Sequence, residues 1–152
     1  MRLSNLADYA VVLLAAAARA DARRLNATLL AYETGVPLPT VQKLVGKLAA
    51  SGLIVSSRGT GGGFRLARSA GEISLADIIE AVEGPIAMTA CVDSGRHDCV
   101  VEHSCQVKPR WNVVNGAVRG ALAGISLESL SIPFVLSEVE GLSTDGGLEV
   151  PA

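Results

Sequence analysis

Aromatic residues are scarce: two Phe, one Trp and two Tyr, or 3% of 152 residues. A large β-sandwich or barrel, whose strands draw on aromatic and β-branched side chains, is thereby disfavoured. Charged residues are also sparse at 18%, but a hydrophobic content of 49% excludes general disorder. The apolar content is mostly Ala, Val and Leu, which suits closely packed helices in one compact domain or a small domain with an extension. No apolar run approaches the ~20 residues that span a bilayer. The run from Ala10 to Ala18, with Arg2 before it and Ala18-Arg19-Ala20 after it, imitates a secretory signal. Asp8 cancels the charge of Arg2, however, and Arg19 falls inside the supposed cleavage motif. The run therefore reads as the buried first helix of an uncleaved, cytoplasmic chain that does not enter a membrane.

The formal charge is only -2, which taken alone argues against nucleic acid. The two halves of the chain disagree. Residues 1–70 hold nine basic side chains against three acidic ones, a balance of +6, while the remainder holds four against twelve, a balance of -8. Such asymmetry points to a basic binding half joined to an acidic half with another task.

The basic half has a recognisable grammar. A first helix is expected from about Asn5 to Ala20, followed by a polar connection over Asp21 to Arg24. Asn26 can cap a short second helix through Tyr32, which Gly35 ends. Pro37-Leu38-Pro39-Thr40 opens a third helix, since proline is tolerated where N–H groups lack intrahelical partners. Along it Val41, Leu44, Val45 and Leu48 share one face, and Gln42, Lys43, Gly46 and Lys47 fall mostly on the other. Ser51-Gly52 closes it. A short strand at Leu53-Ile54-Val55, a glycine-rich tip from Arg58 to Gly63 and a return strand at Phe64-Arg65-Leu66 follow. Two short helices with a basic exposed face and then a basic hairpin make a winged helix-turn-helix. Its second helix suits the major groove, and the hairpin suits a phosphate track or the minor groove. A phosphate-binding nucleotide loop is the competing reading of the glycines, but no Lys-Ser/Thr follows and no helix opens from the loop.

Ser74-Leu75-Ala76-Asp77 resembles a capping box, starting a helix with Ile78, Ile79 and Val82 on its apolar face and Gly84-Pro85 at its end. The chain between Cys91 and Cys105 is loop-like, and Pro109 suits the first turn of a long helix. Trp111, Val114, Val118, Ala121 and Ile125 form a short 3-4 seam in it, expected to pair with a second copy in a homodimer. Periodicity fades after Pro133, and Gly141 to Ala152 reads as a flexible tail. The fold class expected is mainly α, a winged helix-turn-helix with a small β-hairpin wing and a long C-terminal dimerisation helix. Its divisions are 1–83 for DNA binding, 84–107 for a cluster-binding loop, 108–132 for dimerisation and 133–152 for the tail.

Cys91, Cys99 and Cys105 are the only cysteines, in a C-x7-C-x5-C pattern, with both histidines, His97 and His103, interleaved. In a reducing compartment such soft donors suit an iron–sulfur cluster or zinc. The spacing is wider than the C-x2-C pairs of zinc ribbons, so zinc is the weaker choice, and plain redox-sensitive thiols are the third. Three thiolates leave a fourth position to His97, His103 or an oxygen ligand from elsewhere.

Together these parts resemble the IscR/NsrR-type family of winged-helix transcription regulators that carry an iron–sulfur cluster. The matching residues are Met1-Arg2-Leu3-Ser4, the Arg58-Gly59-x-x-Gly62-Gly63 wing ending Leu66-Ala67-Arg68, Ile73-Ser74-Leu75 with Ile78-Ile79-Glu80 and Glu83-Gly84, and the three cysteines. The resemblance covers about residues 1–130. Leu6 to Leu14 and Glu83 to Ala87 look most like the branch that regulates the SUF genes of cluster assembly.

The resemblance implies a homodimeric repressor on a double-stranded DNA operator, with a 2Fe–2S or 4Fe–4S cluster held by Cys91, Cys99 and Cys105. Lys108 stands where some members place a ligating histidine, whereas Asp8 matches the acidic ligand of the nitric-oxide-sensing branch. Asp8 of a second copy is therefore the expected fourth ligand, against the simpler role of a first-turn acid stabilised by the helix dipole. Thr40, Gln42 and Lys43 are expected at base edges and Lys47 at phosphate, with Arg58, Gly59 and Gly62 bringing the wing to the minor groove. Gln42 replaces a glutamate that some members use to change operator choice with cluster state. An iron–sulfur redox enzyme is the alternative from another class, but no nucleophile–base pair or second cofactor site accompanies the cysteines. A zinc-stabilised interaction module is the third.

Overall fold

The computed structural model describes residues 1–20, 23–59, 61–93, 96 and 98–133. Helix α1 (Asn5–Arg19) starts where Ser4 accepts a hydrogen bond from the Ala7 N–H at 3.1 Å. Its alanine-rich face, together with Leu13 and Leu14, is buried and packs against the other helices of the domain. Small side chains permit this close approach, and each buried leucine contributes about 1.5–3 kcal/mol. The supposed secretory run is thus the central helix of the core.

Helix α2 (Ala27–Thr34) is capped by Asn26, whose side chain accepts from the Leu29 N–H at 2.8 Å, and ends at Gly35, where φ is +75°. Helix α3 (Leu38–Ala50) buries Val41, Leu44 and Leu48. The hairpin joins β1 (Ile54–Ser57) antiparallel to β2 (Gly63–Leu66), pairing Ile54 with Leu66 and Ser57 with Gly63. The first strand is shifted toward the tip relative to the expected Leu53–Val55, and the Leu53 N–H donates instead to the Leu48 carbonyl at the end of α3, at 3.0 Å. An unexpected bridge places Leu25 beside Phe64, so the segment before α2 forms a short third rung on β2.

After a 3-10 turn at Ala70–Glu72, α4 (Leu75–Glu83) opens on the expected capping box, with Ser74 and Asp77 each accepting from the other's backbone N–H. The long helix α5 (Lys108–Ala123) does have Pro109 in its first turn. A further helix, α6 (Leu127–Ser131), escaped sequence analysis. It returns to α1, burying Leu127 completely, and the Leu127 N–H donates to the Ile73 carbonyl at 2.7 Å. Residues beyond α5 therefore complete the winged-helix core. The tail expected over Gly141 to Ala152 lies outside the described residues.

Candidate nucleic-acid interface and metal centre

On α3, Gln42 and Lys43 are exposed and Thr40 is half-buried, so the first two turns offer the side chains expected at base edges. Lys47, expected at phosphate, is half-buried and engaged within the chain. Its Nζ donates to the Val82 carbonyl at 2.9 Å, satisfying an end group of α4 and putting a cation at that helix's negative terminus. Other basic residues are engaged as well: Arg23 pairs with Glu33 at 2.9 Å, and Arg68 pairs with Asp77 at 3.3 Å. Among the described residues Lys43 and Arg58 carry no ion pair or side-chain hydrogen bond. On α3 and the wing these two cations are therefore free of the internal pairing that holds Lys47.

The glycines of the wing have individual reasons. Gly59 has φ of +96°, in the left-handed region. A Cβ on Gly62 would lie 2.6 Å from the Ser57 carbonyl oxygen and 2.7 Å from that of Gly59, while the Gly62 N–H donates to Gly59 at 2.8 Å. Gly62 is therefore required by the turn itself. Arg24, placed by sequence in an unremarkable polar connection, donates from Nη1 to Ser57 Oγ at 3.1 Å and to the Gly61 carbonyl at 3.0 Å.

The cysteine loop runs between α4 and α5. Cys91, Cys99 and Cys105 are all free thiols and half-buried, and the Cys91 sulfur lies 3.1 Å from Thr89 Oγ1. Lys108, in the first turn of α5, pairs with Glu102. Its ammonium is held above the usual lysine range, chiefly by that hydrogen bond, with the charges of Glu102, Cys91 and Cys105 adding to it. A cation paired with Glu102 thus stands at the position where a ligating histidine was missing. Asp8 is exposed on the first turn of α1 and His103 is exposed on the loop, while His97 lies outside the described residues. Among the described residues no three Cys, His, Asp or Glu side chains converge as a preassembled metal site. The donor set itself, three free thiols on one accessible loop, suits a thiolate-ligated cluster.

Polar contacts fasten this loop to its surroundings. Arg119 of α5 clasps Glu80 of α4 with two bonds of 2.9 Å. The Asn115 side chain donates to the Ile86 carbonyl and accepts from the Met88 N–H, both at 2.9 Å, gripping the chain just before the cysteines. The Glu80 carboxyl lies below its ordinary range, first because of the Arg119 hydrogen bond, with partial burial opposing and the Ile86 N–H assisting. A cavity of about 500 Å³ beside this junction is lined by Arg2, Leu3, Ile79, Glu83, Val118 and Leu122, among others. Of the expected seam, Val118 therefore faces its own domain and Trp111 is half-buried, whereas Val114, Ala121 and Ile125 are exposed.

The family model that matches residues 3–132 is Rrf2, described as an iron-dependent transcriptional regulator. The chain belongs to the Rrf2 family. Relatives of this Rrf2 chain include the HTH-type transcriptional regulator IscR of Photorhabdus laumondii, 32% identical over 131 residues that cover 86% of this chain and 79% of that protein. Its fold is similar to the solved structure of CymR, the global cysteine regulator of B. subtilis, with TM-score 0.69, 25% identity and coverage of 86% and 96% of the two chains. T. potens IscR is similar at TM-score 0.63 and 25% identity, covering 96% of this chain and 94% of that one. The family resemblance read from the sequence and the winged-helix fold class both hold. These Rrf2 relatives are transcriptional regulators, and so is this chain, rather than an enzyme. No described helix is long and apolar enough to cross a membrane.

Two long-range contacts of the Rrf2 chain, beside the wing and before the cysteines, were missed by sequence reasoning. Arg24 was visible as a basic residue, but its wing partners lie 33 and 37 positions away. The Asn115 clamp has a span of 27 to 29 residues and no local signature.

Proposed function

We propose that this Rrf2 regulator is a homodimeric repressor of iron–sulfur cluster assembly (SUF) genes that reads double-stranded DNA with α3 and the wing and senses through an iron–sulfur cluster. The observation that carries the DNA reading is the pair Lys43 and Arg58, exposed on α3 and the wing without an internal ion pair while neighbouring cations are engaged. Thr40, Gln42 and Lys43 meet base edges, and Arg58 enters the minor groove from a tip shaped by Gly59 and Gly62. Lys47 reaches phosphate only by leaving or sharing its bond to Val82, which makes it the weakest of the assigned contacts. The SUF assignment rests on the resemblance of Leu6–Leu14 and Glu83–Ala87 to that branch.

Cys91, Cys99 and Cys105 would hold the cluster, with Asp8 contributed by a second copy. When bound, the cluster would supply a redox- and ligand-sensitive group. The chain's own residues do the transmitting. Lys108 pairs with Glu102 of the loop, Asn115 couples the loop to α5, and Arg119 couples α5 to α4. The exposed part of α5, including Val113 and Val114, supports pairing with a second copy. A shift of the loop then changes the spacing of the two reading heads, a population shift that needs different operator affinities in the two states.

Anaerobic purification with iron and sulfide analysis, followed by operator binding of holo and apo protein across salt concentrations, tests both halves. Bound iron and sulfide with unequal holo and apo affinities are expected. Equal affinities would remove the switch, and a flat salt dependence would remove the phosphate contacts. Plain redox-sensitive thiols are a second reading, favoured by the lack of convergence among the described donors; protein devoid of iron but changing operator affinity on oxidation would establish it.

A further inference from the structure

We infer that Arg24 is a positioning residue for DNA recognition, holding the wing tip so that Arg58 is presented to the minor groove. The inference rests on the α3-and-wing reading above and adds a residue outside both elements. A tip with glycine at positions 59, 61, 62 and 63 has little backbone stiffness of its own. Arg24 reaches in from the segment between α1 and α2, and its single Nη1 spans Ser57 Oγ at the end of β1 and the Gly61 carbonyl within the tip. The turn is thereby closed across its mouth by a side chain that is not part of the hairpin.

The base from which Arg24 reaches is itself firm. Leu25 is 1% exposed, and its backbone exchanges two hydrogen bonds with Phe64, at 3.2 and 2.8 Å. Gly63 makes this approach possible: a Cβ there would lie 2.5 Å from the Leu25 carbonyl oxygen and 3.6 Å from Arg24 Cβ. The glycine run therefore serves two ends, turning at the tip and admitting the Arg24–Leu25 segment against β2. Arg58 lies in the chain between the two groups that Arg24 holds, Ser57 Oγ and the Gly61 carbonyl, so these bonds restrain the backbone from which Arg58 leaves the wing. Without them the tip keeps conformational freedom that must be surrendered on binding, and affinity falls.

Arg24 acts through Arg58, so the two must be coupled. The test uses the full-length, anaerobically isolated protein and a duplex selected by the wild-type protein from a randomised library. Arg24→Ala and Arg58→Ala are each expected to weaken binding about tenfold. The double variant is expected to bind about as tightly as Arg58→Ala alone, because the second loss has nothing left to act on. Hydroxyl-radical footprints of Arg24→Ala should lose the minor-groove protection of the wing and keep that of α3. Ser57→Ala, which removes one acceptor and no charge, should change the same protection more weakly, and it decides the matter if Arg24→Ala fails to fold. Wild-type binding by Arg24→Ala, losses that multiply to roughly a hundredfold in the double variant, or an Arg58→Ala variant without effect would each overturn the inference. If Gln42→Ala and Lys43→Ala also bind normally, the α3-and-wing reading has failed with it. If those two weaken binding, only the role of Arg24 has failed.

Discussion

The winged-helix head and the α5 arm are held by different forces. Residues of α1 to α4, the wing and α6 share one apolar core, including Leu13, Leu14, Leu44, Leu48, Ile78 and Leu127. Helix α5 buries no residue fully, and polar bonds from Arg119 and Asn115 help attach it to the rest of the described chain. Apolar burial is non-directional and summed over many contacts, so the head resists small perturbations. A net hydrogen bond contributes only about 0.5–1.5 kcal/mol and depends on geometry, so an arm anchored this way responds to modest local change. That contrast is what the proposed sensor requires, a movable arm on a head that keeps its shape.

The sharpest break of the contrast is expected in the core. Leu13→Ala should destabilise the fold by about 2–5 kcal/mol, read as a lower denaturation midpoint. A loss confined to the arm would show that the head is not the cooperative unit. Next in size, Lys43→Ala should cost about 1–3 kcal/mol in operator binding while leaving that midpoint unchanged; a titration with a shallower salt slope would accompany it.

Asn115→Ala should loosen the arm without loosening the head. An opening cost lower by about 1–2 kcal/mol is expected at the 86–88 segment, seen as faster amide exchange there and faster alkylation of Cys91. Unchanged exchange would mean that the clamp does not hold the loop. The smallest effect concerns acid. Because the folded-state pKa of Glu80 is lowered, its contribution is present above the ordinary value of 4.5 and is lost as pH falls through the depressed one. Glu80→Gln should therefore flatten the part of the stability profile that falls below about pH 4.5. Its solvent exposure keeps the change small.

Much of the head was legible because its signals are local. The Asn26 cap, the Gly35 terminator and the Ser74–Asp77 box each involve groups within a few residues, where chain connectivity limits the partners. The arm was less legible. The 3-4 spacing from Trp111 correctly marked a helix, although α5 ends at Ala123 and leaves Ile125 beyond it, and spacing does not say which neighbour an apolar side chain meets. Val118 proved to line a cavity against the same chain, with Val114 and Ile125 left exposed. Helix α6 was missed because five residues, LESLS, carry too little periodicity.

By itself the sequence determined the order of helices and hairpin, the +6 charge of the first half and the grouping of three thiols on one loop. Tertiary structure alone decided which basic side chains of α3 and the wing region are engaged within the chain. Lys47 is drawn to Val82, 35 residues away, and Arg24 to the wing, while Lys43 and Arg58 are left without such partners among the described residues. The reason is one of range: caps and turns are selected by neighbours a few residues apart, but the partner of a long basic side chain is whatever carbonyl or hydroxyl the folded core brings within about 3 Å.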